Sequence, residues 1–140
     1  MENEYTAPPM VFPGQGGPEH AYGVAYDLLC RRAPDEALRL LEPALEAEPD
    51  NTGLRILRVW AWLIRAQLGR AEAELRELAA QSPSDAWVQH ALGRALERQG
   101  RPAEALPHLK LAAVMSEDYD HQAAVLRVER ALAHRAGKDT

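Results

Sequence analysis

Four arginines lie in a stretch of the chain that contains no carboxylate. Between Asp50 and Glu72 there is no acidic residue. The arginines in this stretch are Arg55, Arg58, Arg65 and Arg70. A guanidinium group binds a carboxylate through two parallel hydrogen bonds, and an aromatic ring such as that of Trp62 adds flat apolar contact area. These residue types predict a surface that binds an acidic protein segment or a C-terminal carboxylate.

The segment that precedes these arginines has the opposite charge. Its acidic residues, set against the single arginine Arg39, are Asp35, Glu36, Glu42, Glu46 and Glu48. Arginines on an amphipathic helix commonly face solvent or pair with glutamates of a neighbouring helix. That second interpretation of the four arginines stays open.

No arrangement of residues in the sequence predicts catalysis, a metal site or a cofactor. The histidines have no metal-ligand spacing and no cysteine partner beyond Cys30. They are His20, His90, His108, His121 and His134. The glycine-rich residues 13–17 lack the preceding strand and the Lys-Ser/Thr pair of a phosphate-binding loop. Glu117 and Asp118 lie at a helix junction, where carboxylates cap and solvate the chain. We therefore expect a protein that is not an enzyme.

The composition indicates one helical globular domain. The chain has 140 residues, of which 46% are hydrophobic and 26% charged. Its middle segments consist largely of Ala, Leu, Glu and Arg, which are strong helix formers, so we expect an all-α fold. The net charge of -5 argues against a nucleic-acid partner.

The sequence predicts a cytoplasmic protein. The N-terminus is acidic where a secretory signal is basic. The longest apolar run, residues 59–64, is far short of the ~20 residues of a membrane span, so no membrane segment is expected. The lone cysteine, Cys30, fits a reducing compartment and is expected to be a buried thiol. Arginine far outnumbers lysine and alanine is abundant, which suggests a GC-rich bacterial genome.

One pattern recurs every 34 residues along the chain. The positions that carry it are Ala37, Ala71 and Ala105, Leu41, Leu75 and Leu109, and Pro49 and Pro83. A period of this length is typical of stacked helix pairs. The apolar spacing and the loop residues predict a first helix from Glu19 and six more at about 34–47, 54–67, 70–81, 86–99, 102–115 and 120–136.

The best repeat lies at residues 91–106, where Leu92-Gly93, Gly100 and Ala105-Leu106 stand in register. There the sequence resembles the tetratricopeptide repeat (TPR) family. The resemblance implies an all-α, right-handed superhelical stack of three antiparallel helix pairs, a TPR-like α-solenoid, with a seventh capping helix. The expected domain boundaries are a flexible tail at 1–18, a TPR-like domain at 19–136 with repeats at about 18–51, 52–85 and 86–119 and a capping helix at about 120–136, and a tail at 137–140.

The second repeat departs from the pattern. A strict 34-residue offset would turn Arg55 and Arg58 inward, and burying unpaired charge is costly. Sliding the helix by two residues gives an apolar stripe instead: Leu57, Trp60, Ala61 and Ile64. We therefore predict a two-residue insertion near residues 51–52 and a matching deletion at 68–69. With this slide, Trp60 is buried and Trp62 is exposed.

The resemblance implies that the first helices line a concave groove and that the ligand is an extended or helical segment of a partner protein. The residues expected in that groove are Tyr22, Tyr26, Leu29, Arg55, Arg58, Trp62, Arg65, Trp87, His90, Arg94 and Arg98. We expect a protein-protein interaction adaptor whose partner segment is acidic. Two alternatives remain: a homo-oligomeric assembly module, packed through the ends of the stack or through Val11 and Phe12, and a small holding chaperone for one client.

Overall fold

The computed structural model describes residues 7–9 and 18–138. These residues form seven α-helices and contain no strand. The helices are α1 (Pro18–Cys30), α2 (Pro34–Ala47), α3 (Thr52–Ile64), α4 (Leu68–Gln81), α5 (Ala86–Arg98), α6 (Pro102–Met115) and α7 (Tyr119–Lys138). The expected all-α fold with three helix pairs and a seventh helix is confirmed. The predicted docking residues Val11 and Phe12 lie outside the described residues.

The helices keep the 34-residue period at both ends. α1, α3 and α5 begin at Pro18, Thr52 and Ala86, and α2, α4 and α6 begin at positions 34, 68 and 102. The predicted insertion near residues 51–52 and the deletion at 68–69 are therefore wrong. α3 starts two residues earlier than expected, and Arg55 is buried after all, with 6% of its surface exposed.

Polar side chains and prolines mark where the helices begin. The side chain of Asn51 accepts a hydrogen bond from the Leu54 amide at 3.1 Å, and that of Asp85 accepts one from Val88 at 3.1 Å. These caps satisfy amide groups that have no partner within the helix. α2 and α6 begin instead with a proline, which needs no amide partner there.

The turn inside each repeat places one residue in the left-handed region. The φ angles are 62° at Arg32, 58° at Ala66 and 77° at Gly100. The amide that follows each one donates back to the helix: Ala33 to Leu28 O at 2.9 Å, Gln67 to Trp62 O at 2.8 Å and Arg101 to Leu96 O at 3.0 Å. This geometry closes a helix C-terminus, and only the third repeat uses the glycine that suits it.

The chain divides into two compact units, Met1–Glu74 and Leu75–Thr140, which we call the N-terminal and C-terminal units. In the N-terminal unit α1 packs on α2 and α3, and α2 packs on α3. The fully buried side chains of this core include Leu29, Leu41, Leu57, Trp60 and Leu63. Trp60 is buried as predicted, with 1% of its surface exposed.

In the C-terminal unit α6 packs on both α5 and α7. A Cβ atom added at Gly93 would lie 2.5 Å from Leu109 Cδ2 and 3.3 Å from the Ala105 carbonyl oxygen. The two helices therefore approach closely at Gly93, because any larger residue would collide with α6. Val128 of α7 is buried in the same unit.

Two details of the helix surfaces differ from expectation. The capping helix was expected to end at about residue 136, but α7 runs to Lys138. Cys30, expected to be buried, is exposed at the end of α1. Within the described ranges, we find no helix with the length and apolar character of a membrane span.

Candidate functional site

A short piece of the chain outside the helices is bound to α1 through a tyrosine hydroxyl. The Tyr26 hydroxyl donates a hydrogen bond to the carbonyl oxygen of Pro8 at 2.9 Å. Pro8 is buried, Ala7 is half-buried and Pro9 is exposed. Burial, followed by the electrostatic effects of Cys30 and Tyr22, raises the pKa of Tyr26, so the hydroxyl remains a donor at neutral pH. Tyr26 thus holds a non-helical segment of the chain in the described structure.

Two further aromatic rings support Tyr26, and we call the three residues the Tyr26 site. The Tyr22 ring stacks on Tyr26 with centroids 6.1 Å apart, and the Trp60 ring meets Tyr26 edge-on at 5.6 Å. Tyr22 is only 2% exposed and packs on Gly53, where an added Cβ would lie 3.2 Å from its ring. Of the expected groove residues on α1, only Tyr26 therefore has an accessible edge; the outward orientation predicted for Tyr22 and Leu29 is wrong, since both are buried.

Two arginines of α3 hold one glutamate of α4. Arg55 Nε donates to Glu74 Oε1 at 2.8 Å, and Arg58 Nη2 donates to the same oxygen at 2.9 Å. Burial alone would raise the pKa of Glu74, but the two guanidinium groups outweigh it and lower the pKa. Arg55 can be buried because the Glu74 carboxylate matches its charge. The prediction that Arg55 faces outward assumed that a buried arginine would be unpaired. Its predicted outward orientation is wrong for the same reason.

The other expected residues of α3 also contact acidic groups of the N-terminal unit. Arg58 stacks over Trp62 at 4.9 Å and lies 3.8 Å from Glu42. Arg65 pairs with Asp35 at 2.9 Å, with both side chains largely exposed. Trp62 is half-buried rather than fully exposed. The pairing of arginines with glutamates, left open by the sequence, is the arrangement that the structure contains.

Asp35 and Arg65 also line a shallow depression on α2 of about 380 Å³, together with Leu38, Arg39 and Glu42. Its walls carry two cations and two carboxylates. Such a mixed lining has no net charge to select an acidic ligand.

Two histidine rings of the C-terminal unit lie against each other. His90 of α5 and His121 of α7 have centroids 4.4 Å apart and ring planes tilted by 35°, and among the described residues the buried Nδ1 atoms of both have no hydrogen-bond partner. Burial, then the neighbouring His121, Arg94 and Arg127, lowers the pKa of His90 to about 4, against a small opposing effect of Asp118. His90 is therefore neutral at physiological pH.

The remaining expected residues of α5 are Trp87, Arg94 and Arg98. Trp87 and Arg98 are half-buried. Arg94 is buried and donates to Glu97 Oε1 at 2.6 Å, while Arg127 of α7 binds both oxygens of Glu97 at 2.7 Å. Burial alone would raise the pKa of Glu97, but these hydrogen bonds outweigh it and lower the pKa.

A neutral pair occupies the place in α5 and α6 that the charged pair occupies in α3 and α4. Gln89 and His108 lie 34 residues after Arg55 and Glu74. The Gln89 amide donates to the Pro83 carbonyl at 3.1 Å, so its oxygen faces His108 Nδ1 at 2.9 Å and that nitrogen carries the proton. Burial, then Arg76, lowers the pKa of His108 and favours the neutral ring.

Among the described residues no group of three or more His, Cys, Asp or Glu side chains is arranged to hold a metal ion.

Comparison with known proteins identifies the fold. The structure is similar to the NMR structure of the first TPR domain of the human RPAP3 protein, with a TM-score of 0.75 and 18% sequence identity over 86% of this chain and 98% of that chain. The chain has the TPR fold. No family model and no curated protein sequence matches it. At this identity the likeness extends to the fold of the TPR domain, and function must be argued from the residues.

Three important intramolecular binding partners were not predicted from the sequence. Pro8, Glu74 and Glu97 are bound by residues that the sequence did single out. The 34-residue period does relate Arg55 and Glu74 to Gln89 and His108, since each residue of the first pair stands one period before its counterpart in the second. No pattern connects Pro8 to Tyr26.

Proposed function

We propose that this protein is a non-catalytic adaptor that binds an extended segment of a partner protein at the Tyr26 site. The observation that carries the proposal is the hydrogen bond from the Tyr26 hydroxyl to the Pro8 carbonyl, with Pro8 buried beside it. A site that holds a non-helical segment of its own chain has the hydrogen-bond donor that a partner's extended segment requires. The chain's own segment then acts as a competitor.

The chemistry of the site favours a proline-containing segment. Proline fixes φ, so an extended proline segment loses little conformational entropy on binding, and its carbonyl oxygens are free to accept hydrogen bonds. Aromatic surfaces with one polar donor are a recurring way of binding such segments.

Competition between the chain's own segment and an added peptide tests the proposal. The probe is a fluorescent peptide of residues 5–12, titrated into the intact chain and into the full-length P8G/P9G variant. We expect the variant to bind the peptide at least about tenfold more tightly, because its own segment no longer fills the site. Tyr26→Phe in the variant background should weaken binding about three- to tenfold through loss of one hydrogen bond.

Tyr119→Phe is the matched control, since Tyr119 is a tyrosine of α7 that is 78% exposed. It should leave peptide affinity unchanged. Equal affinity of the intact chain and the P8G/P9G variant, or binding indifferent to Tyr26→Phe, would contradict the Tyr26 site.

The same titration tests the acidic preference expected from α3. Arg58 and Arg65 already contact Glu74 and Asp35, so an acidic segment must replace part of these contacts. Exposed ion pairs contribute little, which makes exchange at Arg65 feasible. With an acidic variant of the peptide, Arg65→Glu should weaken binding at low salt and have less effect at high salt. Salt-independent binding that ignores Arg65→Glu would remove the acidic preference and leave the Tyr26 site standing.

A further inference from the structure

α7 continues the repeat pattern at the place of a first helix. Four of its residues, Ala123, Leu126, Arg127 and Arg130, lie 34 positions after buried residues of α5. The corresponding positions in α5 are Gln89, Leu92, Gly93 and Leu96. In α5 this face is covered: all four residues are buried, and Gly93 touches Leu109 of α6.

The same face of α7 is open. Leu126 is 54% exposed and Tyr119 is 78% exposed, whereas Leu92 of α5 is 1% exposed. The opposite side of α7 is already used, since Ala124 and Val128 are buried. We call the open side the α7 face. It forms a depression of about 550 Å³ whose walls include Tyr119, Ala123, Leu126, Arg130 and His134.

The α7 face carries two arginines, of which Arg127 is paired with Glu97 and Arg130 is the one that remains for a partner. Arg130 stands where α5 has the buried Leu96, and it forms no ion pair with any described residue. α7 carries three arginines and one lysine against Asp120 and Glu129, whereas the whole chain has a net charge of -5. A helix that covers this face must bury apolar side chains on Leu126 and must present a carboxylate to Arg130.

We propose that the α7 face binds an acidic amphipathic helix of a partner protein, which packs on α7 as α6 packs on α5. The partner helix thereby takes the place beside α7 that α6 takes beside α5. This surface is separate from the Tyr26 site, and the two can be lost independently.

Two peptides from this chain provide matched probes. The α2 peptide, Pro34–Ala47, has four carboxylates against one arginine, whereas the α6 peptide, Pro102–Met115, has one glutamate against one lysine. Both carry the packing residues of a second helix at the same places, Ala37 and Leu41 in one and Ala105 and Leu109 in the other. Because isolated helices of this length are marginally stable, each is held helical by a hydrocarbon cross-link, between positions 43 and 47 or between 111 and 115.

Calorimetric titration of the intact chain with each peptide tests the proposal. We expect the α2 peptide to bind at least about tenfold more tightly than the α6 peptide, because its carboxylates meet Arg130. Arg130→Glu and Leu126→Ala should each weaken the α2 peptide about tenfold or more. Arg135→Glu is the control, since it makes the same charge change on α7 outside the α7 face, and it should alter affinity less than about twofold.

Each other outcome overturns the proposal. Binding of neither peptide, equal binding of both, or binding that ignores Arg130→Glu excludes an acidic helix at the α7 face. Sedimentation of the intact chain covers the remaining occupant: self-association that Arg130→Glu abolishes would assign the face to a second copy of the chain. Circular dichroism of each variant checks that the helices remain folded.

Discussion

The pairs Arg55–Glu74 and Gln89–His108 occupy equivalent places in successive repeats. Both satisfy buried polar side chains, but they do so with different chemistry. In the N-terminal unit a buried guanidinium donates to a carboxylate at 2.8 Å, and in the C-terminal unit an amide oxygen meets an imidazole at 2.9 Å. One pair is charged and the other neutral. The TPR backbone thus accepts either, provided that each buried polar group has its partner.

The difference predicts how each unit responds when a partner is removed. Loss of one member of a charged buried pair leaves an uncompensated charge, whereas loss of one member of a neutral pair leaves only an unsatisfied hydrogen-bonding group. Glu74 also binds Arg58, so one carboxylate supports two cations. The Nε of Arg58 is buried and has no partner among the described residues.

The largest effect is expected from Glu74→Ala. It strands Arg55, which is 6% exposed, and should lower the free energy of unfolding by about 3 kcal/mol or more in a urea titration. His108→Ala, the equivalent truncation in the C-terminal unit, should cost only about 1–2 kcal/mol. Equal losses in the two variants would break the distinction between charged and neutral pairs.

Transplanting the neutral pair is the matched control for Glu74→Ala. The double variant R55Q/E74H places in the N-terminal unit the residues found in the C-terminal unit. It should recover part of the stability that Glu74→Ala loses, because Arg55 is no longer stranded while Arg58 still lacks the Glu74 carboxylate. A double variant no more stable than Glu74→Ala would show that the two places are not equivalent.

Acid should weaken the C-terminal unit before it weakens the Arg55–Glu74 contact. The pKa of His90 is about 4 in the folded chain against 6.5 in an unfolded one. Its neutral form therefore supports folding fully above pH 6.5, and up to about 3 kcal/mol is lost as the pH falls from 6.5 towards 4. His108, whose pKa is also lowered, acts in the same direction.

Glu74 contributes in a lower pH window. Its pKa is lowered from 4.5, so its contribution is complete above pH 4.5 and disappears as the pH falls through the lower folded value.

Hydrogen exchange at pH 7 and pH 5, corrected for intrinsic rates, should show looser amides in α5 and α7 than in α3. His90→Leu should remove most of this difference; earlier loosening of α3 would contradict the assignment.

An intermediate effect is expected from Gly93→Ala. The new Cβ would lie 2.5 Å from Leu109 Cδ2, so α6 must shift, at a cost of about 1–3 kcal/mol. Gly69→Ala is the control, because no atom lies within 4 Å of a Cβ there. It should be neutral or stabilising in the same thermal melt. A stable Gly93→Ala variant would mean that the first and second helices of this repeat are not held as closely as their atoms indicate.

The smallest effect concerns the turns, which also differ between the units. Ala66 adopts φ 58° where the C-terminal unit has Gly100 at φ 77°. Ala66→Gly should stabilise the chain by about 0.5–1 kcal/mol and Gly100→Ala should destabilise it by a similar amount, because glycine alone adopts this region without strain. Differential scanning calorimetry resolves shifts of this size. Opposite signs would contradict the left-handed assignment.

The helices were predictable from sequence because the period and the helix-forming composition point to the same elements. α2 and α6 occupy the predicted residues, 34–47 and 102–115. The register of α3 was not predictable from local cost, since the burial of Arg55 depends on Glu74, 19 positions away. The cost of burying a charged side chain must be judged with its ion-pair partner present.

The candidate site was less predictable than the fold. Tyr26 was singled out, but nothing in the spacing of residues 7–9 connects them to it. Tyr22 and Leu29 were expected to face outward because the resemblance assigned whole helix faces to a groove. Close packing of aromatic rings within the N-terminal unit buries them instead, which depends on tertiary contacts such as that of Tyr22 with Gly53.

The exposed thiol of Cys30 is a natural attachment point for a label that reports on the Tyr26 site. It is the one cysteine in the sequence, and it lies one helical turn beyond Tyr26, close enough to affect the pKa of that hydroxyl. A spin label or an environment-sensitive dye attached there would need no engineered thiol. Its signal would follow the arrival and departure of the segment at residues 7–9 in real time, in the unmodified backbone.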